Sequence, residues 1–132
     1  MLPAYRLVFN KLSRDKSGKA NLQNDPSAAV WGVLYSIPDD QLDVLDRGEG
    51  KGYRRQSVRL YTMRGTALDA WAHIAVAPST DSTLRPYSWY KQFLIEGAKE
   101  HGLPVPYIEA LETIAAVDDP DVTRDQERRE LM

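Results

Sequence analysis

The chain has 132 residues, enough for one domain with a modest core. Hydrophobic residues at 42% and charged residues at 27% exclude a disordered chain, and a net charge of −2 supplies no global field for nucleic acid or an anionic membrane. The absence of cysteine excludes disulfides, thiolate metal sites and a cysteine nucleophile, and no apolar run approaches the roughly 20 residues of a membrane span.

The expectation is therefore a soluble, cytoplasmic domain. Residues 4–9, AYRLVF, predict a short strand with Tyr5, Leu7 and Phe9 on one face. Residues 10–29 are rich in Asn, Ser, Lys and Gly and read as a long connection. Its four cations, Lys11, Arg14, Lys16 and Lys19, fit a solvated loop better than a phosphate or nucleic-acid patch, because no aromatic residues interleave for stacking. Residues 30–37, VWGVLYSI, form an apolar run of the length of a buried strand.

Pro38 suits the first turn of a helix, and Asp39 and Asp40 sit where its positive end favours acids. Leu42 and Leu45 pin that short helix to the sheet, and Gly48 is the expected stop. Residues 53–63 alternate as a strand, Arg64-Gly65-Thr66 makes a turn, and residues 67–77 return as a second strand. Leu68, Ala70, Ala72 and Ile74 mark its inner face, with Asp69, Trp71 and His73 on the other.

Helical spacing follows. Tyr87, Tyr90, Leu94 and Gly97 recur on one face, with Gly102 as the stop. Tyr107, Ile108, Leu111, Ile114 and Ala115 mark a second helix, and the charged stretch 118–132 reads as a frayed, solvent-facing tail beyond a domain of residues 1–117. Strands first and helices afterwards predict an α+β fold, a small mixed β-barrel or strongly curved sheet with helices packed outside.

Few chemical motifs are present. His73 and His101 lack metal-ligand spacing, and no Gly-x-Ser-x-Gly elbow occurs. Gly48, Gly50 and Gly52 lack the Lys-hydroxyl pair of a nucleotide-binding loop. Glu49, set among these glycines, reads two ways: an exposed acid in a turn, or a carboxylate around which glycines clear room for a substrate.

Three segments in order, VWGVLYSI, LDVLDRGEGKGY and YSWYKQFLIEGAKEHGLPVPYIEAL, resemble the γ-glutamylcyclotransferase family over roughly residues 4–116. The resemblance implies conversion of a small γ-glutamyl substrate to 5-oxoproline and a released amine, with no metal or cofactor. It implies Glu49 as general acid/base, with Gly50, Tyr53 and Tyr90 lining the substrate site. The family's Tyr-Gly-Ser-Asn loop has no counterpart in these 132 residues, and the match begins after it. An alternative reading follows, a non-catalytic domain of the same fold that binds a small ligand or another protein. An uncovered sheet edge would also pair two copies as a homodimer.

Overall fold

The alternation of Tyr5, Leu7 and Phe9 runs through β1, Leu2–Leu12, in a computed structural model that describes residues 1–50 and 52–132. This strand outgrows the expected one because it has a partner. Residues 18–30, read above as loop, form β2, Gly18–Val30, antiparallel to β1 with Leu7 opposite Leu22 and Lys11 opposite Lys19. Polar composition concealed β2: its most buried side chain after Gly18 is the amide of Asn21, and backbone pairing to β1 supplies what apolar alternation does not. The turn between them closes through Ser13 and Ser17, whose N–H and carbonyl meet at 3.1 Å.

The run 30–37 corrects a second expectation. After Val30 the chain has no regular structure until Asp39, and Val33, Leu34, Tyr35 and Ile37 are exposed. Among the described residues, none of the peptide groups of 32–37 bonds another backbone group. An apolar run becomes a buried strand only where a sheet edge receives it, and here its first five residues, 30–34, line an open apolar groove instead. That groove, about 460 Å³, is also lined by Leu22, Val58, Leu60, Ala70 and Ala72.

A single 3-10 turn, Asp39–Gln41, leads into α1, Leu42–Glu49. The helix passes Gly48 and ends at Gly50, whose φ of 89° is open to glycine and costly for other residues. Next come β3, Tyr53–Tyr61, and β4, Ala67–Ala75, as the expected hairpin, with Arg59 and Asp69 paired at 3.0 Å across the register. Val58 and Ile74 face inward and meet Leu2 of β1.

The two hairpins are separate two-stranded sheets, and among the described residues they do not close into a barrel. Main-chain bonds join them where Met1 and Tyr61 exchange N–H groups at 2.6 and 2.8 Å, and where Leu12 N–H reaches Ser79 O at 3.0 Å. Between these seams a buried polar side chain adds to the apolar contacts. Asn21 accepts from Ala75 N–H at 2.8 Å and donates to Ala75 O at 3.1 Å and to Asn10 Oδ1 at 3.0 Å.

The helices follow as α2, Ser88–Glu100, α3, Val105–Glu112, and α4, Val122–Arg129. The buried seam of α2 is Ile95 and Ala98, against Ile108 and Leu111 of α3, rather than the Tyr90–Leu94–Gly97 face expected. Lys91 holds the pair by donating to the carbonyls of Glu112 and Ile114 at 2.6 and 2.8 Å. The tail expected to fray is helical in α4, and buried Asp119 explains why. Its carboxylate takes a bidentate pair from Arg124, at 2.5 and 2.6 Å, and the indole N–H of Trp89 at 3.0 Å.

Asn21→Ala leaves the Ala75 peptide without its partner and is expected to cost about 1–3 kcal/mol in urea unfolding. Asn21→Asp still accepts from Ala75 N–H but sets a carboxylate against the Ala75 carbonyl, so it is expected to recover none of that loss. Equal stability of the three proteins would show that the clamp does not hold the hairpins together.

Candidate functional site

Glu49 stands at the exposed end of α1, where the helix yields to Gly50. Its helix is docked by Asp46, one turn earlier, which meets His73 Nε2 of β4 at 2.8 Å and Arg55 of β3 at 3.7 Å. Arg55 in turn stacks over the Trp71 ring at 4.8 Å. His73 and Arg55 are register partners, so one carboxylate grips both strands of the hairpin and fixes where α1 ends. The partner of His73 thus lies 27 residues away in sequence. His101 caps α2, with Nδ1 2.9 Å from Gly97 O, as expected of a basic residue at a helix C-terminus.

Tyr53 and Tyr90 come together on one residue of β2, bonding the peptide groups on either side of it. The Tyr53 hydroxyl donates to Ala20 O at 2.7 Å, and the Tyr90 hydroxyl accepts from Ala20 N–H at 3.1 Å. The consequences differ. Tyr53 has committed its proton, whereas among the described residues that of Tyr90 has no acceptor.

Burial raises the pKa of Tyr53 well above the usual phenol range, with smaller contributions from Tyr90 and from the charge of Glu49. Burial likewise raises Tyr90, opposed by the Ala20 N–H and assisted by Glu49 and Asp15. Both hydroxyls are therefore neutral at physiological pH. The charge of Glu49 adds a minor upward contribution to both phenols.

Sequence reasoning missed the lysines around this site, because it placed them in a solvated loop. Lys19 sits over the rings of Tyr90, Trp89 and Tyr87 at 4.6, 4.8 and 5.9 Å and pairs with Asp15 at 2.8 Å. Lys11 lies 5.3 Å from the centre of the Tyr53 ring. Its side chain crosses Gly52 so closely that a Cβ there would come within 2.0 Å of Lys11 Cε. The interleaved aromatic residues that would have flagged these cations come from α2 and β3, distant in sequence. Among the described residues no group of three or more His, Cys, Asp or Glu is placed to hold a metal, and no helix is long and apolar enough to cross a membrane.

Known proteins of this shape share the likeness read from the sequence. The AIG2-like family matches residues 29–111, a span that includes Glu49, Gly50, Tyr53 and Tyr90. The Homo sapiens protein named γ-glutamylcyclotransferase is 30% identical over 104 residues, covering 76% of this chain and 54% of that protein. Its Bos taurus counterpart is 29% identical over the same shares. A solved structure named γ-glutamyl cyclotransferase superposes with a TM-score of 0.85 at 26% identity, covering 98% of this chain and 81% of that one. The chain spans about half the length of the curated relatives it matches. It belongs to the AIG2-like family, among proteins like γ-glutamylcyclotransferase.

The Asp15–Lys19 pair beneath the site carries a pH signature. Burial raises the Asp15 pKa, but hydrogen bonds from Lys19 and Ser17 outweigh it and hold the carboxyl down at about 2. An unfolded aspartate titrates near about 3.9, so this group stabilises the fold fully above that pH, and the contribution is lost as pH falls through the folded value. Asp15→Asn is expected to lower the thermal midpoint at neutral pH, with the gap to the native protein narrowing between about pH 4 and about pH 2. A gap that stays constant across that window in calorimetry would contradict the assignment.

Proposed function

We propose that the chain is a γ-glutamyl cyclotransferase in which Glu49 is the general acid/base and Gly50, Tyr53 and Tyr90 receive the substrate. The observation that carries this reading is the pair of neutral phenols that share Ala20, with the charge of Glu49 at a glycine-bounded helix end contributing to the raised pKa of both. A γ-glutamyl compound brings its own nucleophile, the α-amine, a few bonds from the γ-carbonyl. Folding it back makes the attack intramolecular, a gain of roughly 7–11 kcal/mol when well oriented. No enzymic nucleophile, metal or cofactor is needed.

The reaction does need a proton route. Glu49 takes a proton from the α-ammonium, the freed amine attacks the γ-carbonyl carbon, and a carbon–nitrogen bond forms. The original amide carbon–nitrogen bond then breaks as Glu49 passes its proton to the departing nitrogen, and the regenerated carboxylate carries the second proton from the ring nitrogen to the same amine, which leaves as an ammonium. The products are 5-oxoproline and an amine. Both nitrogens flank the same tetrahedral carbon, so one carboxylate serves both transfers. The uncommitted proton of Tyr90 suits the developing oxyanion or the carboxylate, and Tyr53 holds the β2 peptide against which the substrate rests. Exposure of Glu49 at the helix end gives the substrate access, and Gly50 adds no side chain beside it.

One observation favours a second reading, a binding or interaction domain without turnover. Val33 and Leu34 are exposed along an apolar groove, with exposed Tyr35 and Ile37 following in the chain, a surface suited to association rather than chemistry. Incubation with γ-glutamyl dipeptides, γ-glutamylamines and glutathione, with detection of 5-oxoproline, separates the two. Glu49→Gln is expected to lower kcat by about 10²–10⁴-fold, the usual worth of general acid–base catalysis, with an unchanged circular dichroism spectrum. Turnover by that variant at the native rate would defeat the catalytic assignment.

A further inference from the structure

We propose that Lys11 is the anchor for the α-carboxylate of the substrate, an inference that rests on the γ-glutamyl reading of the site. Lys11 and Lys19 stand directly opposite each other near the end of the β1–β2 hairpin, so two cations share one face of it. They are treated differently. Lys19 is neutralised from within, by Asp15 at 2.8 Å and the Ser17 hydroxyl at 2.9 Å, beneath three aromatic rings. Lys11 donates to the carbonyl of Leu12 at 2.5 Å and, among the described residues, pairs with no carboxylate within 4.0 Å. An ammonium has three protons, and two of these have no partner.

The position of that cation is specific. A Cβ on Gly52 would lie 2.0 Å from Lys11 Cε and 2.7 Å from Nζ, so the ammonium is laid across residue 52, between Glu49 and Tyr53 in sequence. A side chain at 52 would push it away.

The head group of a γ-glutamyl substrate carries an ammonium and a carboxylate on one carbon. A site that removes a proton from the ammonium through Glu49 must also receive the carboxylate close by. Left unpaired, that carboxylate would be repelled by Glu49. Among the described residues, Lys11 is a cation laid against Gly52 and Tyr53 with donors to spare. Its charge also restrains the substrate from binding through the amine alone, which would leave the γ-carbonyl unpositioned. Lys11 lies outside the span 29–111 matched by the family, so its role is argued from this chain's own geometry.

The test compares the native protein with Lys11→Met and Lys11→Arg in two measurements. In the first, 5-oxoproline release from a γ-glutamyl dipeptide is followed. Lys11→Met is expected to raise KM about tenfold with kcat within about twofold, and Lys11→Arg to restore most of the loss, because a charge-assisted bond is worth about that factor. In the second, nuclear magnetic resonance titration compares binding of 5-oxoproline with 2-pyrrolidinone, the same ring without the carboxylate. The native protein is expected to prefer 5-oxoproline, and Lys11→Met to abolish the preference. A preference that survives Lys11→Met, or no preference in the native protein, overturns the anchor. Native protein that binds 5-oxoproline through Lys11 without turning over any γ-glutamyl dipeptide would support the anchor and overturn the catalytic reading instead.

Discussion

Everything near the site is referred to two consecutive residues of β2, Ala20 and Asn21. Ala20 is held from both sides, by the Tyr53 hydroxyl on its carbonyl and the Tyr90 hydroxyl on its N–H. Asn21 carries the connection on to Ala75 through two hydrogen bonds and back to Asn10 through a third. Two residues thereby tie β1, β2, β3, β4 and α2 to one another. The apolar cluster shared by the two hairpins is non-directional, and a buried amide with partners on both strands adds direction to area. The interaction is also exacting, because each lost bond leaves a buried polar group unpaired.

The opposite wall of the site is set by a different charge. Asp46 docks α1 on His73 and Arg55, and helical geometry then delivers Glu49 one turn later, on the same side of the helix. The tyrosines approach from β3 and α2, so the carboxylate and the phenols are held by independent supports. On the proposed reading this suits a substrate that supplies its own nucleophile, since the protein need only orient it and move protons.

How much of this was legible in the sequence depended on which physical signal each element carried. The β3–β4 hairpin was readable because one face is buried and one wet, which writes a two-residue period. α3 was readable for the equivalent helical reason, with Ile108 and Leu111 buried at the expected spacing. β2 was not, because its key inward residue is an amide whose partners lie 54 residues away. The run VWGVLYSI misled in the other direction: hydrophobicity recorded an affinity for burial, whereas strand formation also required an edge to pair with. α1 outlasted Gly48 since a helix tolerates glycine at modest cost, and the positive φ falls at Gly50. In the site, Glu49 gained weight only through the family likeness, and Lys11 was hidden in a segment whose strand pairing was invisible.

The same economy limits what each side chain can reveal about the chemistry. Tyr53 and Tyr90 both secure Ala20, so removing either hydroxyl disturbs the joint between hairpins and helix as well as the site. Loss of function in either variant would mix architecture with mechanism. Glu49 is exposed at a helix end, and Lys11 makes one bond to its own neighbour's carbonyl and one ring contact. Neither bears the fold, so in these two positions function and stability separate. On the proposed reading a zwitterionic substrate presents both signs of charge, and Glu49 and Lys11 answer them from positions the architecture does not otherwise require.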